Sequence, residues 1–262
     1  MRGRRPGRRA SPGAAVTAVR VEQFDDRVLL RLDRPHVRNA IDQRMVDELH
    51  TACALLESDP RIALIIGKGG TFAAGADIAQ LRERRRDDAL RGVNSGIFDR
   101  IHRLPMPTIA LIDGHALGGG AELAYACDFR IGTPTARIGN PEPGLGILAA
   151  AGACWRLAEL VGEPVAKEIL LAGRVLDADE ALALHLLNER VPADELEAAG
   201  HRWADRILAQ APLAVRLTKK LFHAPRAAHP LIDDIAQAVL FETEDKHHRM
   251  TAFLERKKKG SS

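Results

Sequence analysis

Apolar positions along the chain recur in two patterns. Compact runs at residues 28–32 (VLLRL), 63–66 (ALII), 108–112 (TIALI) and 129–131 are short and nearly unbroken, and the last three lead into glycine, as buried strands do. Between them apolar residues return at helical spacing, most clearly over 43–57, where Met45, Val46, Leu49, Leu55 and Leu56 share one side. Strands that are apolar on both faces need helices packed on both sides of their sheet, so the fold class is α/β. From about residue 164 the strand pattern nearly stops. Helical segments follow at 165–171, 178–184, 194–210, 212–222, 231–244 and 246–257, with prolines at 164, 192, 212 and 230 at or near their starts. The last pair reads as an appendage to the core, and the basic tail RKKKGSS as a frayed end.

The composition, 46% apolar and 28% charged, belongs to an ordinary globular protein. No apolar run reaches the roughly 18 residues of a membrane span; the richest, 116–127, is broken by Glu122 and three glycines. The formal charge of +3 points to an anionic partner only until the arginines are located. Five sit at positions 2, 4, 5, 8 and 9, and without them the balance is −2. That arm, residues 1–14, has almost no apolar content and is expected to be disordered, with neither the face of a transit peptide nor the core of a signal peptide. Nucleic-acid binding finds little support, because aromatic residues make up 4% and offer few stacking platforms. Cys53, Cys127 and Cys154 are odd in number and far apart, which argues for buried thiols in a reducing compartment, the cytoplasm. The histidines lack ligand spacing, so no metal is expected.

Three glycine-rich segments carry the candidate chemistry. Residues 65–81 (IIGKGGTFAAGADIAQL) run from a strand through a turn to a helix start, where backbone N–H groups lack internal partners and attract negative charge. Small side chains at 73–76 let a ligand approach, so the Ala76 N–H is a candidate donor, with Asp77 placed to offset the helix dipole. Residues 113–127 (DGHALGGGAELAYAC) contain three successive glycines, costly in backbone entropy at about 1 kcal/mol each in a helix, which implies a close approach to the backbone. Glu122 is the one charged residue between Ala116 and Cys127. A carboxyl in such surroundings either finds partners or has its pKa raised, and a raised pKa suits proton transfer. Residues 138–157 (IGNPEPGLGILAAAGACWRL) hold Glu142 between two prolines, a rigid mount for a carboxylate.

Taken in order, FAAGADI, DGHALGGGAEL and NPEPGLGI resemble the crotonase (enoyl-CoA hydratase/isomerase) family, and the resemblance extends from the strand before Arg38 to the terminal AFLERKKK. It implies a repeated ββα spiral core over residues 15–208 and a helical region at 209–262 that packs homotrimers, often paired into hexamers. It further implies an oxyanion hole from the Ala76 and Gly119 amides, acid/base work by Glu122 and Glu142, and coenzyme A contacts at Ala74, Asp77 and Ile78, with Arg38 and Ala40 near the adenine. Both glutamates are present, 20 residues apart, and that pair selects enoyl-CoA hydratase over an isomerase, a dehydratase or a non-catalytic RNA-binding relative. Coenzyme A would arrive as part of the substrate, and no other cofactor is implied. One departure stands out: residues 149–153 read AAAGA where hydratases carry a stretch like PGAGG. The backbone N–H groups remain, but the added methyls bear on the acyl or water pocket.

Overall fold

The computed structural model describes residues 17–259, so the arginine-rich arm lies outside the described residues. The chain winds through four stacked turns. The first comprises β1 (Val19–Gln23), β2 (Arg27–Leu32), a bridge residue at Ile41 and α1 (Gln43–Ser58). The second has β3 (Ile62–Gly67), the extended segment around Ala73 and Ala76, and three short helices, α2 (Ile78–Glu83), α3 (Arg86–Leu90) and α4 (Val93–His102). The third is β4 (Thr108–Ile112), β5 (His115–Leu117) and α5 (Gly119–Ala126). The fourth is β6 (Phe129–Gly132), β7 (Arg137–Gly139), α6 (Ala153–Val161) and α7 (Glu163–Ala172), followed by β8 (Val175–Asp177), α8 (Ala178–Ala183), β9 (Glu189–Arg190) and α9 (Leu196–Leu208).

Both strands of the first turn, the first strand of each later turn and β9 form one six-stranded sheet, ordered β1-β2-β3-β4-β6-β9, parallel except for the β1 and β2 pair. A smaller layer is built by the Ile41 bridge of the first turn and the second strands of the later turns. Ile41 bridges Ala76, Ala73 bridges Ala116, and β5, β7 and β8 continue the stack. This is the repeated ββα spiral implied by the motifs. Its centre is β3 and β4, in which Ile62, Ala63, Leu64, Ile65 and Ile109 to Ile112 are fully buried. At such a site Leu64→Ala would cost about 2–5 kcal/mol. Thr108 is buried as well; its N–H and hydroxyl both donate to Asp128, which removes the desolvation penalty.

Local structure follows the side chains. Asp42 caps α1 by accepting from the Met45 N–H, and the helix buries Met45, Val46, Leu49, Ala52, Cys53 and Leu56, with Leu55 only half-buried. Buried Arg130 donates to the carbonyls of Leu186 and Cys127, so it ties the end of α5 to the loop before β9. Cys53 and Cys127 are buried, whereas Cys154 is exposed, contrary to the expectation of three buried thiols. Its position on α6 turns it outward.

The chain divides into two compact units, with the division after Trp203, inside α9. The second unit continues through α10 (Pro212–Phe222), α11 (Leu231–Phe241) and α12 (Glu244–Lys259). The last helix runs on through residues that the sequence marks as a fraying tail. This unit presents Phe222, Leu231, Ile235, Phe253 and Leu254 more than half exposed.

Candidate active site

Two unclaimed amides lie side by side where adjacent turns meet. In the bridge between Ile41 and Ala76, Ile41 N–H donates to Gly75 O and Asp77 N–H to Ile41 O, so strand geometry turns the Ala76 N–H the other way. Gly119 opens α5, where the first N–H has no intrahelical acceptor. A Cβ placed on Gly119 would sit 3.4 Å from Ala76 N. Neither N–H meets a protein acceptor among the described residues.

Each of the three successive glycines has its own reason. Gly118 adopts φ 52°, ψ −125°, which side-chain-bearing residues avoid, and a Cβ there would lie 3.0 Å from Glu142 Oε1. At Gly119 a Cβ would fill the gap to Ala76. At Gly120 it would stand 2.1 Å from the Ala73 carbonyl oxygen, so the second and third turns touch through backbone.

Glu122 and Glu142 line the same cavity, of about 570 Å³, together with Ala74, Ala76, Ile78 and Gly119. Glu122 is 4% exposed and its Oε1 accepts from Ala151 N–H at 2.6 Å and Ala153 N–H at 3.2 Å. Burial pushes its carboxyl up to about 7, with the neighbouring Glu142 adding to the rise and the two amides opposing it. Glu142 begins a 3-10 turn (Glu142–Leu145) and is 8% exposed. Burial also raises its carboxyl above the ordinary range, against a long 3.4 Å contact from Asn140 Nδ2 to Oε1. Its Oε2 is buried without a protein partner. Asn140 is fixed in turn by the Tyr125 hydroxyl, which donates to its Oδ1 at 3.0 Å.

The structure therefore brings Glu122, Glu142, Ala76, Gly119, Ala74 and Ile78 together. Asp77, Arg38 and Ala40 stand apart from the cavity lining. Asp77 caps α2 by accepting from Gln80 N–H and faces the Arg34 guanidinium at 3.4 Å. The Arg38 carbonyl receives Ala74 N–H, and the Ala40 carbonyl receives Arg34. Through these contacts the three residues brace the 74–77 segment. Sequence reasoning missed Asn140, Tyr125 and the amides of Ala151 and Ala153. The hydroxyl and amide of Tyr125 and Asn140, beside the motif glutamates, were the available signal for the first two.

A family model described as enoyl-CoA hydratase/isomerase matches residues 27–260. A crotonyl-CoA hydratase of Syntrophomonas wolfei is 36% identical over 249 residues, which cover 91% of this chain and 95% of that protein. A probable mitochondrial enoyl-CoA hydratase 2 of Arabidopsis thaliana is 35% identical, covering 95% of this chain and 86% of its own. The crystal structure of an enoyl-CoA hydratase from Bacillus anthracis superposes with a TM-score of 0.85 at 29% identity, over 92% of this chain and 97% of that one.

Proposed function

The chain is an enzyme of the enoyl-CoA hydratase/isomerase family, and from that premise we propose that it hydrates a 2-enoyl-CoA thioester through Glu122, Glu142 and the paired amides. The observation that carries this is the convergence of two buried carboxyls, both raised above their ordinary range, on one cavity beside two unclaimed N–H groups. The thioester oxygen accepts from Ala76 and Gly119. Ionised Glu122 takes a proton from water as the water oxygen bonds to C3. The C2–C3 π electrons move toward the thioester oxygen, where the amides stabilise the growing charge; one such donor is worth about 3–4 kcal/mol of barrier. Protonated Glu142 then delivers its proton to C2, and exchange with solvent resets both carboxyls.

The Ala151 and Ala153 amides favour the ionised form of Glu122, whereas Glu142 has one unpartnered oxygen. This asymmetry supports the division of base and acid, although the proton belongs to the pair. Coenzyme A enters with the substrate, and the chemistry calls on no further cofactor. The free cysteines are consistent with a cytoplasmic setting; no helix among the described residues is long and apolar enough to cross a membrane. The exposed apolar residues of the second unit support assembly as a homotrimer or a pair of trimers. Light scattering is expected to give three or six chains; a stable monomer at micromolar concentration would reject this.

Mass analysis of the product from crotonyl-CoA tests the reaction. Hydration adds the mass of one water, and an unchanged mass assigns isomerisation instead.

A further inference from the structure

The segment from Arg82 to Ser95 carries more positive charge than its own carboxylates neutralise. Arg82, Arg86 and Arg91 pair with Glu83, Asp87 and Asp88. Arg84 does not. Its half-buried side chain lines the cavity, donates from Nη1 to Asn94 Oδ1 at 3.3 Å, and has no carboxylate within 4.0 Å among the described residues. That contact orients the Asn94 amide, because with Oδ1 engaged by Arg84 the Nδ2 is left as a donor. Nδ2 lies 3.6 Å from where a Cβ on Gly119 would stand, beside the Ala76 and Gly119 amides. A line of donors therefore runs from the paired amides through Asn94 to Arg84, while Leu81, Leu145 and Leu148 supply apolar lining to the same cavity.

An acyl chain filling this cavity displaces the water that solvates Arg84. A purely hydrocarbon chain leaves the guanidinium facing methylenes without a directly bonded carboxylate, which is costly even with Asp88 nearby. An acyl chain ending in a carboxylate replaces that water with a charge-assisted, two-pronged contact. Resting on the hydratase assignment, we infer that the preferred substrate class is a 2-enoyl-CoA whose acyl group ends in a carboxylate, received by Arg84 and Asn94. The phosphates of coenzyme A are the other anions within reach of this segment, and they are common to every substrate.

The test compares 4-carboxybut-2-enoyl-CoA with crotonyl-CoA, identical outside the terminal group, using the whole protein. Wild type is expected to show a kcat/KM for the carboxylated substrate at least 10-fold above that for crotonyl-CoA. Arg84→Met should lower that ratio by roughly 10- to 100-fold, the worth of a hydrogen-bonded charge pair. Arg84→Lys should recover part of the loss, and Asn94→Leu should lower the ratio less. A wild-type ratio at or below one would overturn the inference. So would equal losses on both substrates in Arg84→Met, which would assign the guanidinium to coenzyme A or to folding. If neither thioester is hydrated, the reaction assignment fails by itself. Calorimetric binding of glutaryl-CoA against butyryl-CoA then reads the same preference, upheld by tighter glutaryl-CoA binding that Arg84→Met abolishes and overturned by equal affinities.

Discussion

The cavity has two unlike walls. The wall that carries Gly119 and Glu122 belongs to α5, every residue of which is buried, and its backbone touches the Ala73 segment of the preceding turn. The wall from Arg82 to Ser95 belongs to α2, α3 and the start of α4; the first two of these helices bury no residue, and most of their ion pairs join sequence neighbours. Acid/base chemistry needs donors and carboxyls held to fractions of an ångström, which only a close-packed setting supplies. Recognition of the distal part of a substrate tolerates a wall of long, solvated side chains. On the proposed mechanism, position in the coil divides the molecule into a part that fixes reacting atoms and a part that sorts what reaches them.

The sharpest way to break this comparison is through the carboxyls of the buried wall. Glu122→Gln and Glu142→Gln should each keep the fold and coenzyme A binding while lowering turnover by about 10²- to 10⁴-fold. The double change should cost much less than the product of the single losses, because groups acting on one water are non-additive. Crotonyl-CoA kinetics for the four proteins decide it. Near wild-type hydration by Glu142→Gln would make the turn at Glu142 structural and move the assignment toward a one-carboxyl isomerase.

A glycine swap comes next. Gly120→Ala puts a methyl against the Ala73 carbonyl at 2.1 Å, where the atom met is backbone and cannot swing aside. The expected loss is about 3 kcal/mol of stability, with turnover falling as the paired amides separate; thermal unfolding and kinetics report both. A neutral outcome would show that the second and third turns are not locked through this contact.

Protonation of Glu122 gives a further test with a definite sign. Its carboxyl stands near 7 when folded, against a reference of 4.5. Between those values the folded chain retains a proton that the unfolded chain has released. Its contribution to stability is therefore complete below about 4.5 and is lost as pH rises through about 7. Relative to Glu122→Gln, wild type should lose about 3 kcal/mol between pH 4.5 and pH 8, read by denaturant titration at both values. The acid limb of kcat/KM should fall near pH 7 for the same reason if Glu122 acts as the proposed base. The mildest change belongs to the other wall. Gly96, inside α4, has nothing within 4 Å of where an added methyl would stand. Gly96→Ala should therefore stabilise by about 0.5–1 kcal/mol, opposite in sign to Gly120→Ala.

Much of this was legible in the sequence, for identifiable reasons. Residues 63–66 and 108–112 declare themselves because a strand covered on both faces must be apolar at every position. Glu122 stands out because a lone carboxyl in an apolar run is expensive. The second strand layer was hidden, since β5, β7 and β8 are three residues long and are defined by backbone pairing with little side-chain pattern. Equally hidden were the amides that hold Glu122, which arrive from 29 and 31 residues downstream. The AAAGA stretch keeps two of its N–H groups on Glu122, while Ala150 and Ala151 place their methyls in the cavity lining. Asp77, Arg38 and Ala40 lie outside the cavity lining, and the contacts they make brace the 74–77 segment.

The two unclaimed amides arise from a strand bridge at Ala76 and a helix start at Gly119. Nineteen of the twenty coded residues retain an N–H at such a position, and proline alone removes it. A gene passing through rounds of random mutation can therefore rewrite both glutamates and the whole arginine-rich wall while the two N–H groups persist, provided the glycines at 118–120 are kept. Taking away one donor and keeping the side chain requires chemical synthesis, with an ester in place of the peptide link. The donors themselves are spelled by the main chain; what the codons at 118–120 must preserve is only the glycine that keeps the space in front of them open.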